Sequence, residues 1–156
     1  MDVLAQLQAK ADIAEVIHAY CYHFDRAEAE RVVALFTEDA VVDYGPGLPT
    51  LTGRAEILDT VARGLAQLFA ATSHHVSNIG IRLETAERAT SVCYLYAWHR
   101  YIGGARDGEL WGQYHHDFRR EDGQWRISRL VLKAAGTDGF HRDTMHPIGR
   151  RPPPGG

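Results

Sequence analysis

An α+β fold is predicted, a cone-shaped barrel in which a curved, mostly antiparallel sheet wraps around N-terminal helices. Three observations predict it. Apolar residues recur at spacings of three and four up to about residue 69, the period of helices packed on one face. From Ser73 onward the period is two, the period of strands. The last three strand-like runs are long and joined by short turns, which makes an antiparallel meander. Helices early and strands late mean α+β. At 156 residues, with no internal repeat and no linker, one domain over 1–156 is expected, with 135–156 as a C-terminal arm.

The elements follow in order. Ala9, Ile13, Val16, Ile17, Tyr20, Cys21 and Phe24 form one stripe, so the first segment is a helix. A short second helix fits Ala27 to Phe36, with Val32, Val33 and Phe36 inward. Thr37-Glu38-Asp39 breaks the pattern, and Ala40 to Tyr44 reads as a short strand. Gly45-Pro46-Gly47-Leu48-Pro49 mixes free and fixed φ and reads as a bend. A third helix is predicted from Arg54 to Phe69, with Thr52 as its N-cap. Strands are predicted over 73–83, 89–102, 109–119 and 124–134. A sheet folded over helices leaves one open mouth, a natural small-molecule site.

Composition excludes several classes. Hydrophobic residues make up 45% and charged residues 24%, so the chain is neither disordered nor collagen-like. A net charge of -3 argues against a nucleic-acid binder, which needs a basic face to displace counterions. No apolar run approaches the ~20 residues of a membrane span. The N-terminal residues lack a signal-peptide core, so a cytoplasmic location is expected. Cys21 and Cys93 make neither a disulfide framework nor a metal knuckle. The excess is in histidine, nine residues, and histidine titrates near neutrality.

Alternation divides the strands into faces. Ser91, Cys93, Leu95, Ala97 and His99 share a small face suited to a cone interior, and the opposite face carries Val92, Tyr94, Tyr96, Trp98 and Ile102. Leu110, Gly112, Tyr114, His116 and Phe118 share one face of the next strand, and Trp111, Gln113, His115 and Asp117 the other. His74 and His75 are adjacent on a strand, so one points inward whatever the register. The apolar Ile79, Ile81 and Leu83 follow the parity of His75, which requires either a bulge or burial on both sides. The large aromatic face, with Trp111 and Trp125 placed on it, needs a cover, and a homo-oligomer supplies one. His74, His99 and His116 with Asp25 would offer a two-His-one-carboxylate metal set, but His-x-His and His-x-x-x-His spacings are lacking, so no metal is expected.

The order of elements, with HFDRAEAERVVALF, AVVDYGP, TSHHVSN, YAWHRY and FRREDGQWRISRL, resembles the SnoaL-like branch of the nuclear transport factor 2-like superfamily. The likeness runs from about Ala11 to Arg151. It is greatest to the scytalone dehydratase, bile-acid 7α-dehydratase and lindane dehydrochlorinase group. The resemblance implies catalytic roles for Asp25 near the end of the first helix and His74 after the third. It implies a tyrosine after the first strand, Tyr44, and a second histidine late in the long strand, His99. Phe24 stands where the group has tyrosine, and Tyr114 where it has a carboxamide. Phe24, Tyr22, Asn78, Tyr114 and Trp111 are the candidate substrate contacts, Tyr114 and Trp111 on condition that their strand faces point into the pocket.

The implied function is cofactor-independent elimination on a small hydrophobic substrate, polyketide- or steroid-like. In it His74 is the base, Asp25 orients it, Tyr44 donates to an enolate oxygen and His99 protonates the departing hydroxyl. An isomerase or cyclase would use the same pair. A non-catalytic binder or oxygenase small subunit would use neither. The resemblance implies a trimer, although many relatives are dimers.

Overall fold

Helix α1 (Val3–Asp25) begins where the Asp2 carboxylate caps the Ala5 N–H at 2.7 Å. Its apolar stripe buries Ala9, Ile13, Ile17, Tyr20 and Cys21 against the sheet. The helix stops at Asp25, and the chain turns through Ala27 in the left-handed region, at φ 56°. This computed structural model describes residues 2–149.

Helix α2 (Ala29–Ala34) is shorter than predicted, because the left-handed Ala27 cannot belong to it. Phe36 is not its last residue but the first of strand β1 (Phe36–Asp43). Thr37 to Asp39, predicted as a break, are therefore strand. A register shift between Phe36 and Val41 absorbs the irregularity that the sequence displays there.

After the short β2 (Leu51–Thr52), helix α3 (Arg54–Gln67) ends two residues before Phe69. Its N-cap is Gly53, at φ 83°, rather than Thr52. Thr52 instead donates its backbone N–H to the Glu56 carboxylate at 2.7 Å, so an acidic side chain reaches back to close the first turn.

Four long strands follow: β3 (Phe69–Leu83), β4 (Arg88–Tyr101), β5 (Gly108–Glu121) and β6 (Gln124–Asp138). The sheet order is β2-β1-β6-β5-β4-β3, antiparallel except where β1 lies parallel to β6. The sheet curves but does not close. β2 and β3 remain as its edges. A last short strand, β7 (His146–Pro147), lies parallel to β6 beyond the end of β1.

The region from Ala135, predicted as an arm, is β6 up to Asp138. Its continuation lies on its own chain, where His146 reaches the Asp43 carboxylate at 2.8 Å. Residues 150–156, the Pro-rich end of that arm, lie outside the described residues.

The faces of β4 and β5 are as predicted. Ser91, Cys93, Leu95, Ala97 and His99 are buried, as are Leu110, Tyr114, His116 and Phe118. Val92, Tyr94, Ile102 and Trp111 are exposed. Trp125 departs from expectation: it is buried in the core rather than part of the outer aromatic face.

In β3 the bulge alternative holds. Ser77 pairs with Tyr94 and Gly80 with Val92, so Asn78 and Ile79 together oppose Cys93, and Asn78 takes φ 51°. The bulge exchanges the two parities. His74 and Val76 on one side of it share the partly buried face with Ile79, Ile81 and Leu83 on the other.

Candidate active site

The inner sheet face, α1 and α3 enclose a cavity of about 590 Å³. Register builds its floor. His74 pairs with Ala97, Ala97 with Leu110, and Tyr114 with Leu132. Tyr20 and Phe24 on α1 form one wall, and Val61, Gly64 and Leu68 at α3 form another. The mouth is framed by Gly47 and Leu48 of the predicted bend and by Phe140, His141 and Arg142 after β6. No aspartate or glutamate is among the described residues that line the cavity.

Asp25 and His74 meet at its edge. The His74 Nδ1 hydrogen donates to Asp25 Oδ1 at 2.6 Å, and the His74 backbone N–H donates to Oδ2 at 2.8 Å. Thr72 Oγ1 donates to Oδ1 at 2.8 Å. Burial alone would raise the Asp25 pKa. The bonds and charge from His74, with the Thr72 hydroxyl, outweigh it and hold the carboxyl below its ordinary value. With Nδ1 occupied by the carboxylate, Nε2 is the basic nitrogen of the ring. The imidazole is enclosed, 5% exposed, between the rings of Phe24 at 5.0 Å and His99 at 5.5 Å. The adjacent His75 is exposed and bonds Ser73 instead.

Tyr44 also lines the cavity. Its hydroxyl lies 2.9 Å from that of Tyr20, and the Tyr20 ring stands edge-on to Tyr114 at 5.6 Å. Burial raises the pKa of all three tyrosines, so they stay protonated. Two hydroxyls sharing one hydrogen bond leave one O–H free to donate.

His99 is in the cavity as predicted, but its environment changes what it can do. Burial, with the charges of His74 and His141, pushes its pKa down to about 3. It is uncharged at neutral pH and is not a cationic acid for a departing hydroxyl. Its Nδ1 is buried without a hydrogen-bond partner. His116 bonds Ser91 at 3.0 Å in the core and does not line the cavity.

Three predicted substrate contacts lie elsewhere. Tyr22 is 59% exposed, because the helical period turns it away from the face shared by Tyr20 and Phe24. Asn78 is exposed in the bulge, where the pleat reverses. Trp111 is on the outer face, opposite in parity to Leu110. Phe24 and Tyr114 do line the cavity. Sequence reasoning missed Tyr20, Thr72, His141 and Arg142. The stripe through Tyr20 and Phe24 at i and i+4 was a usable signal for the first. Nothing periodic marks the last two. Among the described residues, no group of three or more His, Cys, Asp or Glu side chains is placed to hold a metal ion.

The comparisons agree with this architecture. A candidate scytalone dehydratase from Novosphingobium aromaticivorans is 35% identical, with a TM-score of 0.90, covering 96% of this chain and 99% of its own. A hexachlorocyclohexane dehydrochlorinase, LinA type 2, is 19% identical, with a TM-score of 0.81 and coverage of 98% and 99%. The type 3 enzyme from Novosphingobium barchaimii is 17% identical, with a TM-score of 0.81 and coverage of 96% and 100%. These two dehydrochlorinases share the fold. Among curated proteins, none matches the chain significantly. The SnoaL-like domain profile matches residues 5–131, and the chain belongs to this family of the nuclear transport factor 2-like superfamily.

Proposed function

We propose that this chain is a lyase that removes water from a small hydrophobic substrate, with His74 as the base and Asp25 as its orienting partner. The observation that carries the reading is the Asp25–His74 hydrogen bond at the edge of a largely apolar cavity. His74 Nε2 takes a proton from a carbon next to a carbonyl, and Asp25 stabilises the imidazolium that forms. The electron pair moves to the carbonyl oxygen, where the free hydroxyl of the Tyr20–Tyr44 pair donates to it. Collapse of the enolate expels the β-hydroxyl. The imidazolium returns its proton to that oxygen, and water leaves. The uncharged His99 serves as a hydrogen-bonding group rather than as the acid. Proton transfers alone complete the reaction, so the reading needs no cofactor. The cavity between the helices and the sheet also favours an enzyme over a structural subunit, in which side chains would fill the cone.

The test is a panel of cyclic β-hydroxy ketones followed by mass spectrometry. The expected product has lost the mass of one water. A product of unchanged mass would instead make the chain an isomerase or cyclase, and no turnover on any member would overturn the lyase reading.

The same proposal includes a homo-oligomer, with a trimer favoured over a dimer. Val92, Tyr94 and Trp111 are 38%, 51% and 44% exposed as neighbours on one sheet face, an apolar patch that a second copy of the chain would cover. Sedimentation at micromolar concentration is expected to show a trimer. A species of 17.4 kDa would mean that this face is tolerated bare.

A further inference from the structure

Arg142 stands apart from the surface arginines. Arg26, Arg63 and Arg100, for example, are paired with Glu28, Asp59 and Asp107 in solvent. Arg142 is half-buried at the cavity mouth and pairs with no carboxylate among the described residues. Its Nη1 donates to the Tyr44 backbone carbonyl, and its Nε donates to His141 Nε2 at 3.2 Å. Nη2 has no partner among the described residues. The bond at Nε2 leaves the hydrogen of His141 on Nδ1, a buried atom with no acceptor. His99 lines the same cavity, with its Nδ1 closed off by the packing around it. The His99 and His141 rings are 6.2 Å apart.

The arginine is also built in. Gly47 gives it room, since a Cβ there would lie 3.0 Å from Arg142 Cδ. The segment that carries it is anchored by β6 at one end and by β7 with the His146–Asp43 pair at the other. Even a half-buried cation with no anion beside it is costly. Here the guanidinium lines an open space in which the protein supplies no carboxylate.

We propose that Arg142 is a specificity-determining residue that binds a carboxylate on the substrate at the cavity mouth. The substrate is then a small hydrophobic acid, with its apolar body against Phe24, Leu110 and Leu132 and its carboxylate at the mouth. This rests on the proposed lyase reading only in placing substrate in the same cavity. A guanidinium with a free N–H offers a charge-assisted hydrogen bond that a neutral ligand cannot match.

The test uses 2-naphthoate and its neutral isostere 2-naphthamide, with binding followed by fluorescence at pH 7. Wild type is expected to bind naphthoate at least about tenfold tighter than naphthamide. Arg142→Met should abolish that preference while naphthamide binding changes little, and Arg142→Lys should retain part of it. Equal affinities in wild type, or no saturable binding of either probe, would overturn the assignment without recourse to a variant. So would an unchanged preference in Arg142→Met. Dehydration of neutral hydroxy ketones without naphthoate preference would leave the lyase reading standing and remove only this one. Naphthoate preference without dehydration would do the reverse.

Discussion

His74→Ala is expected to lower turnover by roughly 10²- to 10⁴-fold, the range for loss of a positioned base. The effect should fall on kcat, because the ring acts on the reacting carbon rather than on the body of the substrate. His75→Ala supplies the contrast. It removes an exposed imidazole bonded to Ser73, one residue along the strand on the other face, and should leave kcat within about twofold of wild type, a surface change away from the site.

Asp25→Asn is the sharper variant. It preserves size, yet an amide cannot stabilise an imidazolium and can turn its NH₂ toward His74, reversing the tautomer. A loss comparable to that of His74→Ala is expected, and the double variant should be little worse than either single one, since the two act as a unit. Steady-state kinetics on whichever hydroxy ketone the wild type dehydrates will read all four proteins. A His75→Ala loss exceeding that of His74→Ala would remove His74 from the role of base.

The second large effect is acid instability. Burial pushes His116 down to about 3, with His115 adding to it, and His99 is likewise down at about 3. In the unfolded chain each titrates near ~6.5. Both folded-state values lie below the unfolded one, so the unfolded state takes up protons first as pH falls. Stability that is full above about pH 6.5 is then lost as the pH drops toward the folded values, at up to about 1.4 kcal/mol per pH unit for each group.

From pH 7 to pH 5 His116 and His99 together should remove about 4 kcal/mol, a fall in Tm of about 10 °C for a chain of this size, and His141, pushed down to about 4 by burial and by Arg142, adds to the fall in the same direction. Asp25 acts only lower down. Its depressed pKa supports the fold above the ordinary carboxylate range and is lost as pH falls through the folded value. The double replacement Ser91→Ala with His116→Leu removes a buried hydrogen-bonded pair in favour of apolar groups. It should change stability little at pH 8 and cut the acid-induced fall in Tm by about a third, since His99 and His141 remain. Calorimetry from pH 8 to pH 4.5 is the measurement, and a fall in Tm as steep as that of wild type would mean His116 is not one of the groups responsible.

Much of this architecture was legible because side-chain period is enforced by burial. Cys93, Leu95, Ala97 and His99 could face only one way once Tyr94 and Val92 faced the other. The placement of Asp25 beside His74 rested on resemblance, since no local rule brings a helix end to a strand 49 residues on. Tyr22 was misplaced because residue type was followed over period: two positions from both Tyr20 and Phe24, it lies about half a helical turn out of phase with their face. Trp125 was misplaced because an aromatic residue fits either side of a strand. His141 and Arg142 left no trace at all. They lie on irregular backbone, where neither period applies, and what holds them is an anchorage to Asp43 and to the Tyr44 carbonyl about a hundred positions earlier.

The bulge at Asn78 and Ile79 works like a frameshift in the pleat. Upstream of it, the frame is set by His74 and its bond to Asp25. Downstream, it is set by the core contacts of Ile79, Ile81 and Leu83. Removing one residue there would leave the strand with a single frame, and either the histidine or the isoleucines would face solvent. Chain length at this point is thus under a stricter constraint than residue identity. Descendants of this sequence can vary the side chain at 78 among those that accept a left-handed backbone, but they can neither lose nor gain a position between His74 and Ile79. The exposed turn from Gly103 to Arg106 carries no such frame and is open to insertion and deletion.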